Sequence, residues 1–438
     1  MTKRKTSIFR GTRCRICTGC GRCAKGNTPT VVSAFCAPAP SKGGAPGCVP
    51  GADGSLALAD GATPDQFPRA EGSLTSADGA TPPRYLVCAD IGTTTIAMQL
   101  RRVADGAVEQ TFTCVNPQRV YGADVLSRIQ AAEDPVKKAM MKHMVREALA
   151  EGVNVFRQRL SCFGSDQKPK IERLAIAGNT TMLHLFMGYD TSGLGVAPFA
   201  PHSLSEVRTV FLGIDTVLLP GISAFVGADI TADIVALSMQ RRLEVTLLLD
   251  LGTNGEMVLG NRERLIATAT AAGPAFEGGT DSFGADLMAV CAGLREEGLL
   301  DETGLLKEPY FSEGIEAGGA HITRENIRAL QLAKAAVAAG IRIMCRKYGL
   351  RDADRIDRIF LAGGMGYYLD PQAAAEIGLI PKEWAKKTCA VGNAVLEGAF
   401  LYGREHGAAK PVECFNLAAE PDFEREYIAS MSFEQSTF

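Results

Sequence analysis

The sequence predicts an α/β protein of two like lobes with a nucleotide cleft between them, plus a small cysteine-bearing segment on a flexible linker. Three observations carry this expectation. Strand and helix patterns alternate from Tyr85 onward. The pattern D-x-G-T occurs twice, in DIGTTT (90–95) and DLGTNGE (250–256), each time at the end of an apolar strand. A third apolar strand, in IDRIFLAGGMG (356–366), runs directly into glycines.

The totals suit such a chain. A length of 438 residues allows two or three domains with full cores. Hydrophobic residues make up 46% and charged residues 22%, with a formal net charge of −3, which gives no electrostatic reason to expect nucleic acid or a membrane surface. No apolar run reaches the roughly 18 residues that span a bilayer. The basic start, MTKRKTSIFRGTRCRICTGC, lacks the apolar centre of a signal peptide. The expected location is therefore the cytoplasm, where thiols stay reduced. There, 13 cysteines argue for metal binding over a disulfide framework.

The elements follow in order. Residues 1–36 form the cysteine-rich segment. Residues 37–83 are rich in Gly, Ala and Pro and carry a repeat: GSLALADGATP (54–64) returns as GSLTSADGATP (72–82). With little apolar surface to bury, they are expected to be a flexible tether. The first lobe, 84–243, opens with RYLVCADIGTTTIAMQL, which reads as strand, Gly/Thr turn and strand. DPVKKAMMKHMVREALAEGVNVFRQRL (134–160) has helical periodicity, and IERLAIAG is a buried strand followed by a helix that Asn179 opens. The second lobe, 244–420, repeats the hairpin in EVTLLLDLGTNGEMVLG. It continues with a long helix (322–349) and the glycine-ended strand with a helix after it. Residues 421–438 are expected to be a C-terminal tail, and the charged stretch after Glu413 is expected to be surface. The repetition of the hairpin suggests an internal duplication.

A turn of Gly and Thr gathers backbone N–H groups and hydroxyls around one concave spot, and such nests hold phosphate oxygens. Gly92, Thr93, Thr94 and Thr95 are the candidates in the first hairpin, and Gly252, Thr253, Asn254 and Gly255 in the second. Asp90 and Asp250, at the strand ends, are placed to organise Mg²⁺ and water, and Glu256 is a candidate for positioning that water. In FLAGGMG, Gly363, Gly364, Met365 and Gly366 let backbone approach a base and ribose closely. AAGPAFEG (271–278) offers the opposite wall through Gly273 and Pro274, with Glu277 reaching a ribose hydroxyl.

Two aspartate-led hairpins followed by a glycine-ended strand resemble the superfamily of sugar kinases, heat-shock chaperone ATPases and actin. That resemblance implies ribonuclease-H-like topology in both lobes and ATP as the nucleotide. A narrower resemblance rests on longer strings: NPQRVYGADVLSRI (116–129), AGNTTMLHLFMG (177–188), LLLDLGTNGEMVLG (247–260), ATAAGPAFEGG (269–279), FLAGGMGYYLD (360–370) and GNAVLEGA (392–399). Over residues 84–420 the chain resembles the ATPase part of the reductive activators of corrinoid proteins. The resemblance implies an ATPase that drives one-electron reduction of Co(II) to Co(I) in a corrinoid protein of a methyltransferase system. It also implies a low-potential electron donor and a homodimer. An uphill gap of about 300 mV in a one-electron couple is about 7 kcal/mol, within reach of coupling to ATP.

The chain departs from those activators at its start. Many carry a plant-type ferredoxin domain, for which residues 1–83 are too short and too rich in Gly and Pro. In its place stand Cys14, Cys17, Cys20 and Cys23, a C-x2-C-x2-C-x2-C run. Bacterial ferredoxins use C-x2-C-x2-C with a remote fourth cysteine, so Cys36 or Cys48 is a replacement ligand. A 4Fe–4S cluster is the expected iron–sulfur group, with a two-iron cluster or a zinc site as the alternatives. Cys88, Cys162, Cys291 and Cys345 are expected in the core. In EGGTDSFGADLMA (277–289), Phe283 stands where the activators carry a cysteine. Three rival functions share the fold: electron delivery to another low-potential metalloenzyme of dehydratase or double-cubane type, a nucleotide-dependent sensor or scaffold with a structural metal, and a small-molecule kinase with Asp229 as its base.

Overall fold

The computed structural model describes residues 49–50, 56–57, 82–162, 169–252, 254–270, 286–350, 355–363, 370–405 and 410–434. The cysteine-rich segment and most of the expected linker lie outside them. Within the linker, Val49–Pro50 pairs antiparallel with Leu56–Ala57.

The described chain divides into two units. One runs to Leu237 and takes back the helix that starts at Ala394. The other runs from Ser238 to Asn393 and resumes at Pro411. This corrects the boundaries expected from sequence, which assigned 394–410 to a continuous second lobe.

The first unit is built on a six-stranded sheet. Strands β1 (Arg84–Ile91), β2 (Thr95–Arg102) and β3 (Val108–Val115) form an antiparallel meander. Strand β4 (Lys170–Gly178) lies parallel to β1 on its other side. Strands β5 (Val207–Phe211) and β6 (Ile214–Leu218) complete the order β3-β2-β1-β4-β6-β5. The run Tyr85 to Ala89 is buried throughout, as a strand covered on both faces requires.

Helix α1 (Val125–Ala131) precedes the long helix α2 (Pro135–Ser161), which Asp134 caps with Pro135 at its first position. Met141, Val145, Leu149, Val153, Phe156 and Leu160 recur on one face of α2 and join the core around β1. A Cβ at Gly152 would press into Phe112 at 2.9 Å, so this helix approaches the sheet too closely for a larger residue. Helix α3 (Thr180–Met187) follows β4, and α4 (Ala228–Ala236) follows β6.

The second unit repeats the plan. Strands β7 (Thr246–Leu251), β8 (Gly255–Gly260) and β9 (Leu265–Thr270) form the meander, and β10 (Arg358–Ala362) and β11 (Thr388–Gly392) run parallel beside β7. A short β12 (Glu413–Cys414) pairs with β9. Helix α5 (Asp286–Glu296) and the long α6 (Arg324–Tyr348) cover the sheet. Thr323 caps α6 with Asn326 in a reciprocal capping box, and Gly349 ends it at φ 92°. Helix α7 (Pro371–Glu376) follows β10.

Helix α8 (Ala394–Glu405) belongs to the first unit, where it packs on α4, β1 and β4. Arg101, buried in β2, pairs with Glu397 of α8 at 2.5 Å and lies 4.4 Å over the Phe400 ring. The end of the chain is also not the expected surface tail. Leu417 and Phe433 are buried in the second core, and α9 (Phe423–Ala429) packs on α6.

Candidate functional site

In the first unit the site grows from the end of β1. Asp90 is half-buried there, in register with Ala97 of β2 and Ala177 of β4. The turn after it is closed by Gly92 N–H donating to the Thr95 carbonyl at 3.0 Å. A Cβ at Gly92 would stand 2.7 Å from that same oxygen, which is why glycine is needed. Thr93 is buried, Thr94 half-buried and Thr95 exposed.

Behind the turn stand two buried side chains that motif reading did not single out. The Asn116 amide donates to the Gly92 carbonyl at 2.8 Å, and its backbone N–H donates to the Thr94 carbonyl at 2.9 Å. Arg128 of α1 donates to the Thr93 carbonyl at 2.6 Å. Both residues lie in the NPQRVYGADVLSRI string, where nothing local marks the DIGTTT turn as their partner.

The parallel strand β4 ends beside the turn at Ala177–Gly178. Asn179 caps α3, its side chain accepting from Met182 N–H at 3.1 Å, and its amide nitrogen lies 3.5 Å from the Thr93 hydroxyl. Gly227, at the start of α4, packs on this step so closely that a Cβ there would meet the Asn179 Cα at 2.6 Å and the Asp229 carboxylate at 2.7 Å. Asp229 is half-buried. Burial pushes its carboxyl up to about 6, although the Ile230 N–H donates to it at 2.9 Å and partly offsets that rise. Asp90, Thr93, Asn179 and Asp229 therefore line adjoining ends of β1, β4 and α4 in one unit.

The second unit offers the matching set. Asp250 is half-buried on β7, in register with Glu256 of β8 and Ala362 of β10. Residues directly opposite on antiparallel strands present side chains to one face, so Asp250 and Glu256 form a carboxylate pair. Gly252 N–H donates to the Asn254 carbonyl at 2.9 Å, and Gly255 opens β8. Gly363 has φ 85°, and any Cβ there would overlap the Asp250 carboxylate. The glycine step after β10 therefore serves Asp250 directly. The Ala-Gly step that ends β4 is its counterpart beside Asp90, a repeat visible in IERLAIAGN and IDRIFLAGG once the two strands are aligned.

A hydrated Mg²⁺ needs only one or two protein carboxylates, since water and phosphate oxygens complete its octahedron. Asp90 in the first unit, and the Asp250–Glu256 pair in the second, each meet that requirement within their own unit. Among the described residues, no group of three or more His, Cys, Asp or Glu side chains gathers to form an all-protein metal cage. Thr253, Gly273, Pro274, Glu277, Phe283, Gly364, Met365 and Gly366 lie outside the described residues, as do Cys14, Cys17, Cys20, Cys23, Cys36 and Cys48. Cys88, Cys291 and Cys345 are buried in the cores, where desolvation raises their thiol pKa values, that of Cys291 to about 12. They pack as neutral thiols, whereas Cys162, also expected in the core, is exposed at the end of α2. No helix among the described residues is long and apolar enough to cross a membrane.

Comparison with known proteins supports the same assignment over most of the chain. Residues 85–242 match the family described as RACo middle region. Residues 244–292 and 308–438 match the C-terminal domain of RACo, the ASKHA domain. The corrinoid activation enzyme RamQ of Eubacterium limosum is 29% identical, over 80% of this chain and 70% of that protein. A Co(II) methylated amine-specific corrinoid protein reductase of Methanosarcina barkeri is 25% identical, over 52% of this chain and 54% of the relative. The solved structure of a reductive activator for corrinoid, iron–sulfur protein is similar with a TM-score of 0.70 and 27% identity, over 81% of this chain and 67% of that one.

Proposed function

The chain belongs to the RACo family, and on that footing we propose that it is an ATP-dependent reductive activator that returns Co(II) to Co(I) in a corrinoid protein of a methyltransferase system. The observation that carries the proposal is the duplicated hairpin: each unit ends its central strand in an aspartate, follows it with a tight Gly turn, and sets an Ala-Gly strand end beside that aspartate.

In this reading the amides and hydroxyls at Gly92, Thr93, Thr94 and Thr95 and at Gly252, Thr253, Asn254 and Gly255 bind the phosphates of ATP. Gly363, Gly364, Met365 and Gly366 meet the adenosine, with Gly273, Pro274 and Glu277 opposite. Asp90 and Asp250 would hold Mg²⁺, which offsets phosphate charge when bound. Asp229 accepts the proton of the attacking water, because a carboxyl poised near pH 6 is ionised at neutral pH yet basic enough to take it. Glu256, paired with Asp250, is the second unit's candidate for positioning water. Cys14, Cys17, Cys20 and Cys23, with Cys36 or Cys48 as a replacement ligand, would hold a 4Fe–4S cluster, which supplies a one-electron carrier.

The test is spectroscopic. Anaerobic protein is mixed with a Co(II) corrinoid protein and a low-potential reductant, with and without ATP. The absorption band of Co(I) is expected only with ATP. Equal Co(I) formation without nucleotide would sink the proposal.

A further inference from the structure

An arginine stays charged at every physiological pH, and burying its guanidinium is costly unless its donors are matched. Arg128 has no exposed surface. Its fork reaches the Thr93 carbonyl at 2.6 Å, the Gly122 carbonyl at 3.0 Å and the Met182 sulfur at 3.1 Å. The loop that delivers Gly122 passes so near Ser127 that any Cβ at 122 would overlap its side chain. Asn116, equally buried, takes the carbonyls on either side of Thr93, those of Gly92 and Thr94. Its own side-chain oxygen accepts from Gln118 N–H at 3.0 Å, which leaves the amide nitrogen aimed at Gly92.

Three successive carbonyls of one turn are thus held by two residues: those of Gly92 and Thr93 by the Asn116 and Arg128 side chains, and that of Thr94 by the Asn116 backbone N–H. In a trans peptide the N–H points opposite to the C=O of the same unit. With the Gly92 and Thr93 carbonyls drawn back, the N–H groups of Thr93 and Thr94 are aimed the other way, as an anion nest requires.

We propose that Arg128 is a positioning residue for phosphate recognition. Its buried guanidinium, with Asn116, holds the carbonyls of residues 92–94 to the rear so that the turn's amides face a nucleotide phosphate. It also fixes a permanent positive charge behind them. This rests on the reading of that turn as a phosphate loop. The role is graded by phosphate count, so it differs from bracing of the loop alone: triphosphate binding depends on it and adenosine binding does not.

The experiment uses the full chain and calorimetric titration with ATP, ADP and adenosine. For Arg128→Gln, with unchanged circular dichroism, ATP affinity is expected to fall at least tenfold, ADP affinity by less, and adenosine affinity not at all. Arg128→Lys keeps the charge without the planar fork and is expected to recover part of the loss. Asn116→Asp replaces the donor on the Gly92 carbonyl by an acceptor. It is expected to show the same gradient, and it carries the test should the Arg128 variants not fold. Equal loss for ATP and adenosine, or full ATP affinity in a folded variant, overturns the proposal and leaves the phosphate-loop reading standing. Failure of the unsubstituted protein to bind ATP overturns the phosphate-loop reading and this proposal with it.

Discussion

Asp229 shows how one residue links pH, stability and turnover. Its folded-state pKa of about 6 lies above the ordinary carboxylate value because burial disfavours the anion. The folded chain therefore binds more protons than the unfolded chain between about pH 4 and pH 6, so this group's contribution to stability falls as pH rises through that window. Asp229→Asn is expected to raise the melting temperature at pH 7.5 and to leave it nearly unchanged at pH 4, as read by thermal denaturation. The same variant should lower the ATPase kcat by about a hundredfold and remove the fall in rate below pH 6. A Gly363→Ala change acts by shape instead. Its Cβ would enter the space of the Asp250 carboxylate, at a backbone φ of 85° that alanine resists. A loss of about 10–100-fold in kcat is expected, with the fold retained by circular dichroism.

At the scale of elements, helix α6 carries an unusual buried group. Lys334 is almost fully enclosed, donates to the Ser432 carbonyl, and lies 5.5 Å from the Phe433 ring centre. Desolvation, with Arg342 and Arg295 nearby, lowers its pKa to about 7. The unfolded chain then binds more protons between about pH 7 and pH 10, so stability rises with pH across that window. Lys334→Met is expected to raise the melting temperature at pH 6.5, with the gain shrinking by pH 9.5. The sequence pattern made α6 legible, since Leu330, Val337, Ile341 and Met344 recur at helical spacing. It did not reveal that residues 430–434 close over Lys334, because nothing local to the tail marks its partner. The same limit explains α8. Its choice of α4 as neighbour depends on Gly398, where any side chain would run into the Ala232 backbone.

For the whole molecule, the expectation is that nucleotide chemistry and electron delivery are separable. Cys17→Ser and Cys20→Ser are expected to abolish bound iron, the paramagnetic resonance of the reduced protein and Co(I) formation, and to leave ATP affinity within about twofold of the unsubstituted protein. Asp250→Asn should do the reverse, keeping the resonance and losing ATP turnover by about a hundredfold or more. Loss of both properties in each variant would mean the two halves of the activity do not reside in different parts of the chain.

The sequence alone determined the two aspartate-led hairpins, the strand before Asn179, the long helices and the glycine-ended strand, because periodicity and turn chemistry are local properties. Only tertiary structure decided what stands behind and beside those turns. Asn116, Arg128, Asn179 and Asp229 reach the DIGTTT neighbourhood from separate elements. Such convergence arises from the packing of distant segments around one sheet, and no single stretch of sequence contains it.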